Sequence, residues 1–194
     1  MFEYIQGPLT ELTPANAVIE AGPVGYFIHI SLHTYSQING KKEVKLFLHP
    51  VVREDAHLLY GFSGKAEREL FRFLISVSGI GSNTAMMMLS SLSPDEIRKA
   101  ILEENVNLLK SIKGIGAKTA QRVIIDLKDK IGKLPATDRI LMTSTDNTTR
   151  EEALSALVML GFARKSVETE LDKIIRSSPG LAVETMIKQA LKGL

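Results

Sequence analysis

Cysteine is absent from this 194-residue chain, and no apolar run approaches the length of a membrane span. The absence of cysteine excludes a disulfide scaffold, a thiolate metal site and a cysteine nucleophile, and it is compatible with a reducing cytoplasm. A membrane-spanning helix needs about 20 consecutive apolar residues, so we expect no membrane association. The first residues also lack the basic and then apolar pattern of a signal peptide, which favours a cytoplasmic location.

Histidine is scarce, with only four residues in the chain. None of them has the spacing of a zinc finger or of the His-Glu-x-x-His motif of zinc enzymes. We expect all four to be structural or exposed, and we expect neither a metal site nor a cofactor. They are His29, His33, His49 and His57.

The net charge of +2 is small, but charge is unevenly distributed along the chain. Residues 1–64 carry 4 basic and 6 acidic side chains, whereas residues 65–133 carry 12 basic and 8 acidic ones. A basic segment of this kind is typical of a phosphate-binding surface. A solvated helix face has the same composition, so charge alone does not decide between the two.

The basic segment contains two near-copies of one short sequence. The first reads Ser-Gly-Ile-Gly-Ser-Asn-Thr-Ala from Ser78, and the second reads Lys-Gly-Ile-Gly-Ala-Lys-Thr-Ala from Lys113, 35 residues later. An apolar helical pattern precedes and follows each copy. A repeat at this spacing predicts one supersecondary unit used twice, so we expect each copy to form a tight turn between two helices.

Each of these turns is expected to bind phosphate. Glycines allow positive φ and a close approach of the backbone to a ligand, and the first amides of the following helix lack internal partners. The helix dipole adds partial positive charge at the same place, which favours an anion. The predicted phosphate-binding residues are Gly79, Gly81, Ser82 and Asn83 in the first copy and Gly114, Gly116, Lys118, Thr119 and Arg122 in the second. Lys118 and Arg122 share one helical face, so the second copy is predicted to be the stronger site.

The repeated pattern resembles the helix-hairpin-helix motif, which occurs in many DNA repair and recombination proteins. Backbone amides at two such turns would position the two strands of a nucleic acid without reading its sequence. A single Gly-Ile-Gly sequence is more often a simple turn between helices. Two copies in register, the second followed by two cations, favour the DNA-binding interpretation.

The fold class is predicted to be multidomain β + α. Five segments rich in β-branched and aromatic residues within the first 64 residues favour a small closed sheet of the OB type. Capping boxes at Ser93 and Thr149 predict helix starts farther along the chain. The predicted divisions are 1–64 for the OB-like β-barrel, 65–142 for an all-α tandem helix-hairpin-helix domain, 143–148 for the core of a flexible linker, and 149–194 for a three-helix module.

The linker is predicted from its composition, since it is polar and lacks apolar anchors, and disorder is expected to begin near residue 134. The turn Leu160-Gly161-Phe162 in the final module resembles that of ubiquitin-associated domains, which bind partner proteins. A small module on a flexible tether favours an interaction arm over a catalytic unit.

The predicted barrel carries two adjacent carboxylates in one of its turns. Glu54 and Asp55 lie between the fourth and fifth predicted strands, so we expect them to project together from a hairpin. Most such pairs are plain solvated turns, and metal binding is a rival use for which no third ligand lies near in sequence. Beside a DNA-binding domain, paired carboxylates at a tip repel phosphates.

This order of parts resembles the RuvA family, the Holliday-junction-recognition subunits of the bacterial branch-migration complex. The resemblance covers essentially the whole chain. Its most specific sequences are residues 52–56, residues 59–62, the two Gly-Ile-Gly turns and residues 156–162. It implies a bacterial, cytoplasmic DNA-binding protein of recombination, repair and the SOS response to DNA damage.

The resemblance also implies an assembly and roles for individual residues. A homotetramer would hold a four-way junction open and square, with one or two tetramers per junction. Glu54 and Asp55 match the acidic pin of the family, and Arg53 would contact DNA beside the pin. Asn83 and Ala117 depart from the family, because many members carry lysine there; fewer cations imply a shallower dependence of binding on salt.

The expected protein partners are those of a branch-migration complex. The C-terminal module would recruit RuvB, the motor that hydrolyses ATP, and its apolar surface suggests Leu157, Leu160 and Phe162 as the contact residues. The junction-resolving nuclease RuvC is a further partner implied by the resemblance. The chain itself is expected to be a subunit of an ATP-dependent helicase complex that has no catalytic site of its own.

Three other functions fit parts of the sequence. A base-excision glycosylase needs a catalytic acid, and Asp126 follows the second hairpin, but the charged residues around it indicate a solvated face. An ATPase needs a phosphate loop, and residues 61–66 have the wrong spacing, with Ala66 where Ser or Thr is required. A protein-interaction adaptor, in which both hairpins are structural turns, is the third alternative.

Overall fold

The computed structural model describes residues 2–132, 145–178 and 180–193. The chain divides into two compact units, Met1–Pro135 and Ala136–Leu194. The first contains a β-barrel and a layer of helices, and the second contains three helices around a core of their own.

The barrel consists of β1 (Tyr4–Leu12), β2 (Asn16–Ala21), β3 (Val24–Ile30), β4 (Glu43–Val52) and β5 (His57–Phe62). These strands close in the order β1-β2-β3-β5-β4, and every neighbouring pair is antiparallel except β3 and β5. Alternate apolar side chains, such as Ile28 and Ile30 of β3, fill the interior. The predicted OB-like barrel is confirmed.

One helix in the barrel was not predicted. It is α1 (Leu32–Ile38), which connects β3 to β4. The side chain of Ser31 accepts a hydrogen bond from the backbone N–H of Thr34 and so caps the start of this helix. The third strand therefore ends at Ile30, one residue before this cap.

Gly61 of β5 is required by the packing of the barrel. A Cβ at this position would lie 2.5 Å from Cγ2 of Ile28, so a larger residue would displace the core. Gly61 also begins the stretch that superficially resembles a phosphate loop. Its place inside a paired strand excludes that interpretation.

Five helices follow the barrel: α2 (Lys65–Ile75), α3 (Ser82–Ser91), α4 (Pro94–Leu102), α5 (Val106–Lys110) and α6 (Ala117–Gly132). The capping box predicted at Ser93 is present, since Ser93 and Glu96 exchange hydrogen bonds between side chain and backbone. One Gly-Ile-Gly turn joins α2 to α3, and the other joins α5 to α6.

The barrel interior has a hydrophobic core of its own, and a second buried cluster joins the end of β5 to these helices. Tyr60 and Phe62 of β5 pack against Phe71 of α2, with ring centroids 5.2 and 5.0 Å apart. The same buried cluster contains Ile80 and Ile115, the central residues of the two turns. The turns are therefore anchored to the cluster that joins β5 to the helices.

The second unit consists of α7 (Thr145–Met159), α8 (Arg164–Ser177) and α9 (Val183–Gly193). The predicted three-helix fold is confirmed, but α7 begins at Thr145 and not at the capping box predicted at Thr149. The described part of the predicted linker, 145–148, is thus helical. The remainder of the linker, and the stretch from residue 134 where disorder was expected to begin, lie outside the described residues.

Within the described ranges, no helix combines the length and apolar composition needed to cross a membrane.

Candidate nucleic-acid interface

The two Gly-Ile-Gly turns have the same backbone geometry. Gly79 and Gly114 adopt φ angles of +93° and +90°, in the left-handed region that favours glycine. In each turn the isoleucine N–H donates to a carbonyl three residues earlier, that of Val77 at 3.0 Å and that of Ile112 at 3.1 Å. The first hydrogen bond of the following helix is 2.9 Å long in both copies. The repeat in the sequence is therefore a repeat in the structure.

The glycines of both turns face solvent. All four are exposed, and a Cβ added to any of them would meet no further atom within 4 Å. The isoleucine between each pair points into the core and is only 5% exposed. The amides at the start of α3 and α6 therefore open onto an unobstructed surface, as an anion site requires. The four glycines are Gly79, Gly81, Gly114 and Gly116.

Cationic side chains surround the second turn. Lys118 and Arg122 are exposed on the first turns of α6, and Thr119 between them is half-buried. The Arg122 guanidinium donates a hydrogen bond of 3.3 Å to the backbone carbonyl of Ser78 in the first turn. A side chain of the second hairpin thus contacts the first, and the two turns lie side by side on one surface.

Neutral side chains surround the first turn. Ser82, predicted to bind phosphate, is buried and only 6% exposed. Asn83 is exposed, and its side-chain carbonyl accepts a hydrogen bond of 3.2 Å from the hydroxyl of Tyr60. This contact directs the NH₂ end of Asn83 away from the barrel. Tyr60 was not predicted to belong to this site, because a tyrosine in an apolar strand carries no local sign of a contact 23 residues away.

Alanine at the two glycines of the first turn should separate stability from binding. Gly79→Ala forces a left-handed φ on a residue with a Cβ and should destabilise the protein by about 1 kcal/mol. Gly81 has φ −87°, which alanine adopts without strain, so Gly81→Ala should change stability by less than about 0.5 kcal/mol. Its methyl group stands in the path of an anion, however, and should weaken DNA binding.

Urea unfolding and fluorescence anisotropy with a labelled duplex measure these two effects. Equal losses of stability in Gly79→Ala and Gly81→Ala would contradict the assignment, as would duplex binding that Gly81→Ala leaves unchanged.

Glu54 and Asp55 lie at the exposed tip of the β4–β5 hairpin. The backbone N–H of Arg53 donates to the carbonyl of Ala56 at 2.8 Å and closes the turn. The predicted hairpin is present, and the side chains of Arg53, Glu54 and Asp55 all face solvent. In the part of the chain that the structure describes, no group of three or more His, Cys, Asp or Glu side chains is arranged to hold a metal ion.

Two half-buried histidines flank Tyr60 on the neighbouring strands, His29 on β3 and His49 on β4. Burial lowers the pKa of His29. Burial also lowers the pKa of His49, and the nearby guanidinium groups of Arg72 and Arg68 lower it further. The His29 ring lies 5.4 Å from the Tyr60 ring, so it packs against the residue that holds Asn83.

Leu157 cannot contact a partner as predicted. Its side chain is 0% exposed and lies in the core of the three-helix unit. Phe162 is half-buried and packs against that core, whereas Leu160 is 63% exposed. Val158 and Met159 are exposed as well, although neither was predicted as a contact residue. Val158, Met159 and Leu160 form an exposed apolar group at the end of α7, which we call the α7 patch.

Asp126, the acid considered for a glycosylase, is exposed on α6. It borders a shallow surface concavity together with Lys118 and Arg122. A glycosylase must enclose a flipped base around its catalytic acid, and this open position provides no such enclosure.

Three family models match the chain. The RuvA N terminal domain matches residues 1–61, the SAM-like helix-hairpin-helix tandem matches residues 71–129, and the RuvA C-terminal domain matches residues 148–194. These matches follow the order of the barrel, the two hairpins and the three-helix unit.

Several relatives are similar to this chain over their full length. One from Bacteroides thetaiotaomicron and one from Flavobacterium psychrophilum are each 53% identical to this chain, and one from Christiangramia forsetii is 51% identical. Each comparison covers 100% of both chains. All three relatives carry the name Holliday junction branch migration complex subunit RuvA.

Proposed function

This chain belongs to the RuvA family, and we propose that it binds four-way (Holliday) DNA junctions as a subunit of a branch migration complex. It holds the junction open and square and brings the RuvB ATPase to it, in DNA recombination and repair. The observation that carries the proposal is the pair of equivalent, exposed hairpin turns in the basic part of the chain. A lone turn is a common helix connection, but two on one surface suit the two strands of a duplex.

The hairpins grip the sugar-phosphate backbone. In the second hairpin the amides that follow Gly116, at the start of α6, meet a phosphate, and Lys118, Arg122 and the Thr119 hydroxyl add side-chain contacts. In the first hairpin the amides that follow Gly81, at the start of α3, act with the NH₂ group of Asn83. The second hairpin carries the charge and is the stronger of the two sites.

The acidic pin acts by repulsion. At about 4 Å, two like charges near a protein surface repel by roughly 4 kcal/mol. Glu54 and Asp55 at the crossover therefore keep phosphates apart. An open junction is repelled least, because its strands diverge at its centre. Arg53 beside the pin contacts the diverging backbones.

Four copies of the chain surround one junction in this proposal. The fourfold form of an open junction suits a homotetramer that presents two hairpins to each arm. One tetramer covers one face of the junction, and a second can cover the other. The nuclease RuvC acts on the face that a single tetramer leaves accessible.

The chain contributes no ATPase activity in this scheme. Residues 61–66, which resemble a phosphate loop in composition, begin inside β5 and lack its spacing. We therefore assign ATP hydrolysis to the RuvB motor. The α7 patch is the docking surface that we assign to this motor, because it is apolar and exposed on a small folded unit.

Substitutions in α7 test this docking surface. Leu160→Ser removes an exposed side chain, so it should leave the stability of the three-helix unit within about 0.5 kcal/mol while weakening RuvB binding at least tenfold, or about 1.4 kcal/mol. Leu157→Ala, the buried control, should destabilise the unit by about 2–5 kcal/mol. Calorimetric titration with RuvB and thermal unfolding measure the two effects. Full RuvB affinity in Leu160→Ser would reject the α7 patch.

The function itself is tested by binding to matched DNAs. A four-way junction and a linear duplex built from the same sequences are titrated under identical salt, and we expect at least a tenfold preference for the junction, or about 1.4 kcal/mol. The mass of the complex in solution gives the number of subunits. Equal affinity for both DNAs would reject the proposal, and an absence of DNA binding would favour the interaction adaptor.

A further inference from the structure

A buried polar cluster connects the barrel to the first helix of the hairpin domain. Glu67, in the first turn of α2, is only 2% exposed. One of its carboxyl oxygens accepts a hydrogen bond from the Ser31 hydroxyl, and the other accepts one of 2.7 Å from the Thr34 hydroxyl. Ser31 and Thr34 are fully buried and belong to the cap and first turn of α1. A single carboxyl group thus joins the helix of the barrel to α2.

The same cluster holds the end of β5. Ser63 follows the last residue of β5, and its backbone N–H donates to the Thr34 hydroxyl oxygen at 3.0 Å. The Ser63 hydroxyl also lies 3.5 Å from the carboxyl group of Glu67 and donates to it. The start of α2 is therefore tied to the strand that precedes it through side chains as well as through the chain itself.

The next residue of α2 holds β4. The buried guanidinium of Arg68 donates to the backbone carbonyl of Leu48 in β4 at 3.4 Å. It also donates to the backbone carbonyl and the carboxylate of Glu3, at 2.9 and 2.6 Å. Glu67 and Arg68, which are adjacent in α2, thus fasten both strands of the hairpin that carries the acidic pin.

Along the chain, the cluster lies between the two parts of the proposed DNA surface. Glu54 and Asp55 lie in the turn that joins β4 to β5, and α2, which follows β5, is followed by the first Gly-Ile-Gly turn. Apolar contacts such as that of Phe62 with Phe71 hold the barrel and the helices together but are not directional. Hydrogen bonds depend on angle as well as distance, so they fix the orientation of one part relative to the other.

The composition of the cluster supports a role in orientation. Burying a carboxyl group is costly, and well-packed apolar side chains of similar volume often stabilise a protein as well or better. Cohesion between barrel and helices alone does not call for Glu67, Ser31 and Thr34 at this position. A fixed orientation of the pin relative to the hairpins does call for such hydrogen-bonding groups.

We propose that Glu67, held by Ser31 and Thr34, is a positioning residue that sets the location of the acidic pin relative to the hairpins and so determines discrimination between junction and duplex. This inference rests on the proposed function for its consequence on DNA binding. The geometric part concerns the protein alone and is tested without DNA.

The first test measures the distance between pin and hairpin. The chain lacks cysteine, so His57→Cys and Lys113→Cys place two spin labels at exposed sites, one beside the pin and one beside the second turn. Labelled chain is diluted with excess unlabelled chain, and electron–electron double resonance gives the intramolecular distance distribution. In the parent chain we expect one narrow distance distribution. Thr34→Val and Glu67→Gln should broaden it, whereas Thr34→Ser, which keeps the hydroxyl, should leave it narrow. A distribution unchanged by Thr34→Val and Glu67→Gln would overturn the inference.

The second test measures selectivity in the same variants, checked by thermal unfolding to be folded. We expect Thr34→Val and Glu67→Gln to lower the junction-to-duplex affinity ratio roughly tenfold, mainly by raising duplex affinity, because a displaced pin no longer opposes a duplex at the centre of the surface. With Glu54→Gln and Asp55→Asn already present, Thr34→Val should lower the ratio no further. Equal losses of junction and duplex affinity would show a merely structural role and overturn the inference. If the parent chain binds both DNAs equally, the proposed function fails, and the label distances still decide whether Glu67 sets the geometry.

Discussion

Glu54→Gln combined with Asp55→Asn is expected to leave junction binding at least as tight as in the parent chain and to remove most of the preference for the junction. In the proposed role the pin opposes any continuous backbone that crosses the centre of the DNA surface, and two like charges about 4 Å apart near a protein surface repel by roughly 4 kcal/mol. Neutral amides of the same shape remove that repulsion. Duplex affinity should therefore rise tenfold or more, while junction affinity changes little.

Paired titrations of a four-way junction and a duplex over a series of salt concentrations measure this effect. Because the repulsion is electrostatic, the difference between parent and variant should shrink as salt rises. The matched control is Glu11→Gln with Glu20→Gln, which removes two exposed carboxylates from the barrel but none from the tip. Unchanged discrimination in the pin variant, or an equal effect in the control, would contradict the repulsive role.

Lys118→Ala and Arg122→Ala are expected to weaken binding to junction and duplex alike. Each removed phosphate contact should lower the slope of log affinity against log salt by about 0.9 per bound subunit, so the loss is multiplied in a tetramer. Arg122→Ala should have the larger effect, because the guanidinium also reaches Ser78 in the first turn. Lys118→Ala removes only a charge.

The control for these variants is Lys130→Ala, which removes an exposed cation from the far end of the same helix. It should leave the salt dependence nearly unchanged. If Lys130→Ala weakened binding as much as Lys118→Ala, the effect would come from the net charge of the helix and not from a phosphate site at the turn. Selective loss of junction binding alone would also contradict the assignment, because phosphate contacts do not distinguish the two DNAs.

Local patterns were sufficient to predict the barrel and the two turns. Alternating apolar residues mark strands wherever one face is buried, as in β3 and β4. The Gly-Ile-Gly repeat fixes the turns because few residues other than glycine adopt the φ of Gly79 and Gly114. Both signals depend on neighbours in sequence, which is why they can be read without a structure.

Features that depend on distant contacts could not be predicted. Leu157 and Leu160 are apolar residues on one helix, and only the packing of α8 and α9 shows that the first is buried and the second exposed. Glu67 is one of several charged residues at the start of α2, and its burial follows from hydroxyl groups more than 30 positions earlier. The early start of α7 is another case, because polar residues that suit a linker also tolerate a helix.

The hairpin that carries Glu54 and Asp55 extends beyond the outer ladders of the barrel. The register pairs β1 with residues 43–47 of β4 and β3 with Tyr60 and Gly61 of β5, whereas the pairs next to the tip, such as Val52 with His57, join β4 and β5 alone. A change at the tip that loosened these last pairs would therefore leave both outer ladders intact. Residues 53–56 can therefore be replaced by loops of other lengths or charges while the barrel remains closed. This makes the barrel a starting point for engineered sensors of other branched nucleic acids.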